Sequence, residues 1–89
     1  MLIYSNKANG KVSGDTDILQ YSSIEGYTIV SQPDGYTVYA QTVGGQDIAL
    51  IVQPSYDQAI AVVEKIEREA DGDAPKIDLR FLQLNPGGR

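Results

Sequence analysis

Eighty-nine residues with a formal charge of −5 and a pI of about 4.4 make a small acidic chain, too short to divide between two cores. Hydrophobic residues are 42% and charged residues 21%, the balance of a folded domain rather than a disordered one. There is no histidine and no cysteine, which excludes disulfides, thiolate metal sites and the Ser-His-Asp and Cys-His catalytic arrangements.

The first two thirds reads as a meander of short strands. Residues 2–6 form a β-type run, and Asn9-Gly10 is a strong turn signal after it. Residues 11–13 are a brief returning strand, followed by a second turn cluster at Gly14-Asp15-Thr16-Asp17. Residues 18–24 are the next strand, closed by Glu25-Gly26, and residues 27–32 follow with Tyr, Thr, Ile and Val suited to a pleated surface.

Pro33-Asp34-Gly35 has a mechanism as a hairpin turn. Proline presets φ, aspartate suits the second central position, and glycine takes the left-handed conformation that ends the turn. Residues 36–42 are the returning strand, and Gly44-Gly45 permits another reversal. Residues 47–53 hold the run Ile48-Ala49-Leu50-Ile51-Val52, which predicts a central strand buried on both faces. That run is far too short to span a membrane, and residues 1–6 lack the basic start and long apolar stretch of a signal peptide.

A helix is predicted over residues 55–70. Pro54 stops the strand, Ser55 is a good N-cap, and Gln58 completes a capping box. Tyr56, Ala59, Val62, Val63, Ile66 and Ala70 recur at helical spacing as one apolar face, and Asp71-Gly72-Asp73 ends the helix. A terminal strand is predicted over residues 76–84, because Ile77, Leu79 and Phe81 alternate with Lys76, Asp78 and Arg80. Leu82 and Leu84 then fall on the opposite parity, so either the strand has a bulge or both of its faces meet something apolar. Residues 85–89 read as a flexible tail. The whole is one α+β domain over residues 1–89: an antiparallel meander of five to six short strands, curved or half-barrelled, with one amphipathic helix and a C-terminal strand.

The chemistry-bearing residues are few. The pairs Asp15 with Asp17 and Asp71 with Asp73 lie beside glycine in turns, where aspartate bonds its own backbone. Glu69, Asp71 and Asp73 alternate like the start of a calcium loop but lack its sixth-position glycine and closing glutamate. No glycine pattern precedes the helix as a phosphate cradle would require. The reading is therefore no catalytic residue, no metal and no cofactor. The scattered basic residues argue against binding duplex nucleic acid.

Six tyrosines stand against one phenylalanine and no tryptophan. Half-exposed strands accommodate tyrosine readily, and contact surfaces are enriched in it. Along residues 36–41, Tyr36, Val38 and Ala40 share one face, with Tyr36 expected in the core. Thr37, Tyr39 and Gln41 share the other and are the expected contact set.

The segments Ile3-Tyr4-Ser5-Asn6, Gly35-Tyr36-Thr37-Val38-Tyr39-Ala40 and Asp47-Ile48-Ala49-Leu50-Ile51-Val52, with the helix and the last strand, follow an order of their own. In that order the chain resembles a group of short uncharacterised β-meander-plus-helix proteins of Firmicute bacteria and their phages. The resemblance implies a phage or mobile-element product that binds a host component, and it carries no functional residue with it.

The expectation is thus a non-catalytic, cytoplasmic binding protein that occupies a host protein or small ligand. The alternative is an oligomeric sponge for a phosphorylated nucleotide signal. Lys76 and Arg80 would contact its phosphates and a tyrosine its base. Leu82 and Leu84, beside an unpaired strand edge, are the expected contact of a homo-oligomer, which would widen the thin stability margin of so short a chain.

Overall fold

The computed structural model describes residues 1–6 and 16–82. The expected turn at Asn9-Gly10, the strand at residues 11–13, Leu84 and the tail lie outside the described residues. The fold is α+β, with strands β1 (Leu2–Tyr4), β2 (Ile18–Gln20), β3 (Ile24–Gln32), β4 (Gly35–Thr42), β5 (Asp47–Gln53) and β6 (Lys76–Asp78) and a helix α1 (Tyr56–Asp71). The strands form two three-stranded sheets, ordered β2-β1-β6 and β3-β4-β5, which do not close into a barrel.

The period-two alternation of the strands explains how both sheets share one core. In the first sheet Ile3 lies opposite Leu19 on one side and Ile77 on the other, and all three are buried. The facing rows, Leu2 with Gln20 and Lys76, and Tyr4 with Ile18 and Asp78, turn outward. In the second sheet the inner rows include Ile29–Val38–Ile51 and Tyr27–Ala40–Ile48. α1 lies against both sheets through Ala59, Val62 and Ile66, each fully buried. Asn6 ties the sheets together: its N–H donates to the Leu50 carbonyl at 2.6 Å, and its side-chain amide donates to the Leu79 carbonyl at 3.4 Å.

The helix begins as expected. The Ser55 hydroxyl accepts from the Gln58 N–H at 3.2 Å and donates to the Gln58 side-chain oxygen at 3.1 Å, a cap worth about 1 kcal/mol. At the far end Asp73, not Gly72, takes the left-handed conformation, at φ +58°. Aspartate tolerates that region better than most side chains.

Several expectations are corrected. Residues 18–24 are not one strand: a 3-10 turn, Tyr21–Ser23, separates β2 from β3. Gly26 is not the end of a strand but sits beside a bulge within β3, where the register shifts between Ile24 and Gly26. β5 is an edge strand rather than a central one, and β4 is the centre of its sheet. Its apolar run has a different cause. The register shifts between Val38 and Tyr39, leaving Leu50 unpaired, and both Leu50 and Ile51 are buried.

β6 ends at Asp78 and pairs parallel with β1, so the predicted strand over residues 76–84 is cut short. The Asp78 carboxylate accepts from the Arg80 N–H at 3.0 Å and starts a 3-10 turn over Leu79–Phe81. That turn buries Leu79, leaves Phe81 68% exposed and brings Leu82 against the core. The parity break that set Leu82 apart is therefore the signature of a turn, not of a strand with two apolar faces.

Candidate functional site

Three surface regions gather side chains able to recognise something. The first is the outer face of the second sheet. Its rows run Thr28–Tyr39–Ala49 and Val30–Thr37–Val52. Gln32, Thr37, Tyr39 and Asn6 edge a hollow of about 290 Å³ with Ala49 and Val52. Thr37 and Tyr39 do meet here. Thr37, though, is only 3% exposed, contrary to its place in the expected exposed set. It sits mid-sheet between two valines, and its hydroxyl donates to the Gln32 side-chain oxygen. Gln32 in turn donates to the Tyr39 hydroxyl at 3.4 Å. Gln41 is exposed, further along β4, and does not line the hollow. Tyr36 is half-buried on the inner face, edge-on to Tyr56 with ring centroids 6.0 Å apart.

The second region is the outer face of the first sheet. Lys76 and Arg80 come together over the Tyr4 ring, at 5.9 and 5.5 Å from its centroid. Arg80 also lies 5.5 Å from the Phe81 ring. Its guanidinium is engaged by Asp78, with N–H···O contacts of 2.9 and 2.6 Å, and Arg80 holds the Asp78 carboxyl below the usual carboxylate range. Ile18, in the same row as Tyr4, is 58% exposed.

The third region is a cleft larger than the hollow of the second sheet. With a volume of about 540 Å³, it opens between the start of β3 and the C-terminal half of α1. Ile24 and Val63 form its apolar part, and Tyr21, Tyr27, Glu25 and Glu67 its polar part. The Tyr21 hydroxyl donates to the two Glu67 carboxylate oxygens at 3.0 and 2.9 Å, and the Tyr27 hydroxyl donates to Oε2 at 3.1 Å. The 3-10 turn aims Tyr21 toward the helix. Tyr27 lies in the inner row of the second sheet, and Glu67 is one residue beyond the buried Ile66. Both phenols are held above the ordinary tyrosine pKa, Tyr27 well above it. In Tyr21 the hydrogen bond to Glu67 is the main cause, and in Tyr27 it is burial, reinforced by the Glu67 charge.

Those shifts set a testable sign. A phenol whose folded-state pKa is raised stabilises the fold fully below the unfolded value of about 10, and the contribution is lost as pH climbs from there. Titrating the phenolate signals of Tyr21 and Tyr27 should show both ionising above the ordinary tyrosine range, and stability falling above pH ~10. In Glu67→Gln, Tyr21 should return toward the ordinary range. A Tyr21 titration that Glu67→Gln leaves unmoved would show that the contact to Glu67 does not form.

Glu67 falls outside the apolar face that helical spacing predicts, and no motif singles out Tyr21 or Tyr27. One signal was available: Tyr27 shares strand parity with Ile29 and so belongs to the inner face. Among the described residues no cluster of three acidic, cysteine or histidine side chains can hold a metal ion, and no helix is long and apolar enough to cross a membrane. No protein-family model, curated protein or solved structure matches the chain.

Proposed function

We propose that this chain is a non-catalytic binding protein that acts by occupying a partner protein, with the cleft beside α1 as its contact surface. The observation that carries the reading is the convergence of Tyr21 and Tyr27 on Glu67 at the wall of an open, partly apolar cleft. The hydroxyl protons of both phenols are committed to Glu67, so the pair supplies fixed contact area and acceptor oxygens to a partner. Tyrosine supplies rigid, amphipathic surface of the kind that anchors interfaces. In this proposal the partner is a cytoplasmic host protein, in keeping with the resemblance to short phage and Firmicute proteins.

Affinity capture from host lysate tests the reading. Ser22 lines the cleft and is exposed, so Ser22→Arg fills the opening without touching the core. The partner held by the native chain should be lost from Ser22→Arg and kept by Gln32→Arg, which alters the hollow of the second sheet. A partner kept by Ser22→Arg, or lost equally from both, contradicts the reading.

A second reading is favoured by Lys76 and Arg80 over the Tyr4 ring: an oligomeric sponge for a phosphorylated nucleotide, with the ring stacking on a base. Arg80 would have to release Asp78 to take a phosphate, which weighs against it. Leu82 is drawn onto its own core, so the apolar contact of such an oligomer moves to Ile18 and Phe81. Calorimetric titration with a cyclic dinucleotide, on the native chain and Tyr4→Ala, tests the ligand. Light scattering on Ile18→Lys/Phe81→Lys tests the contact.

A further inference from the structure

We infer that the cleft of Tyr21, Tyr27, Glu25 and Glu67 receives a cationic side chain, an arginine presented by the partner protein. The inference rests on the reading of this cleft as the contact surface and adds the chemistry of what enters it. Three features of the cleft converge on a cation. Two carboxylates, Glu25 and Glu67, line it, and among the described residues that line it none is basic. Two phenol rings stand in the same wall, and an aromatic face attracts a guanidinium through its quadrupole. Ile24 and Val63 supply apolar surface for the methylenes that carry the charge.

The hydrogen bonding leaves room for such a guest. A carboxylate has about four lone-pair sites. The hydroxyls of Tyr21 and Tyr27 bond to Glu67 in a fixed place, and both phenol oxygens keep lone pairs of their own. An incoming N–H donor therefore meets acceptors on the Glu67 carboxylate and on both phenol oxygens. Glu25 is exposed and lies in the lining, where it adds a second negative charge. Arginine suits this wall better than lysine, because its planar guanidinium stacks on rings while its edge donates in several directions. A cleft of about 540 Å³ also accommodates the backbone to either side of such a residue. The net charge of −5 draws a basic segment toward the chain, and the cleft decides where its arginine lodges.

The probe is a capped glycine pentapeptide with a central arginine, compared with the same peptide carrying citrulline, which keeps the shape and loses the charge. NMR titration should show the arginine peptide binding at least about tenfold more tightly than the citrulline one. The ring signals of Tyr21 and Tyr27 should move. Glu67→Gln should lower the affinity about tenfold. Glu25→Gln, which removes a charge from an exposed position, should lower it about threefold. Asp57→Asn removes the same charge from the first turn of α1, at the end of the helix away from Glu67, and should leave binding unchanged. Equal binding of the two peptides, no binding of either, or an equal loss in Asp57→Asn and Glu25→Gln each overturns the inference. If the arginine peptide fails while Ser22→Arg still abolishes capture, the cation is wrong and the contact surface stands. If the peptide binds as described while capture is indifferent to Ser22→Arg, the cation site stands without that partner.

Discussion

Val62→Asp leaves the chain unfolded at room temperature. Val62 is fully buried in the face of α1 that meets both sheets, so the aspartate has no route to water. It either stays charged without a partner or takes up a proton, and both cost several kcal/mol on top of the lost packing. A chain of this length has about 4–13 kcal/mol of stability to lose. Circular dichroism should show loss of the cooperative thermal transition. The neighbouring variant sharpens the test. Val63 is half-buried and lines the cleft, so in Val63→Asp the carboxylate can face solvent, and the fold should survive with a lowered Tm. Two equally folded variants would mean that α1 presents a different face to the sheets.

Gly35→Ala is expected to cost about 3 kcal/mol, lowering Tm by ~10–20 °C. Gly35 closes the hairpin of β3 and β4 at φ +138°, a backbone region that side chains rarely adopt. A Cβ there would stand 2.5 Å from the Gln53 carbonyl oxygen and 3.0 Å from a Val52 methyl. The carbonyl belongs to the backbone of β5, so relieving the clash means moving a strand. Gly44→Ala is the contrast. It has no positive φ, its nearest neighbour would be the Thr42 hydroxyl at 3.9 Å, and its Tm should change by a few degrees at most. Equal shifts in the two variants would show that β5 does not press on the hairpin.

What could be read from the sequence was local, and what could not was the result of long-range pairing. The Ser55 cap, the helical spacing that buries Ala59, Val62 and Ile66, and the Pro33-Asp34-Gly35 hairpin each depend on residues a few positions apart and stand in the fold. Of the same predicted apolar face, however, Tyr56 is 53% exposed and Val63 and Ala70 are half-buried. Gly26 reads as a turn because glycine serves turns and bulges alike, and only the partner strand decides which. The run of residues 48–52 reads as a central strand because a bulge at Leu50 also turns successive apolar residues inward. The terminal strand ends early because the Asp78 carboxylate takes the Arg80 N–H, a competition between side chain and ladder that alternation does not reveal. Of the expected site residues, Thr37 and Tyr39 share one hollow, Lys76 and Arg80 share Tyr4, and Gln41 stands apart from both. The cleft was hidden because Tyr21 and Tyr27 reach Glu67 across 46 and 40 residues of chain, and no spacing rule spans that distance.

The three surfaces carry different tyrosines, which makes the rings reporters of where a partner sits. The most direct measurement labels the tyrosine rings and follows their NMR signals as the captured partner is added. Perturbation of Tyr21 and Tyr27, with Tyr4 and Tyr39 unmoved, is the predicted result. Perturbation centred on Tyr4 or Tyr39, with Tyr21 and Tyr27 unmoved, would contradict the assignment of the cleft as the contact surface.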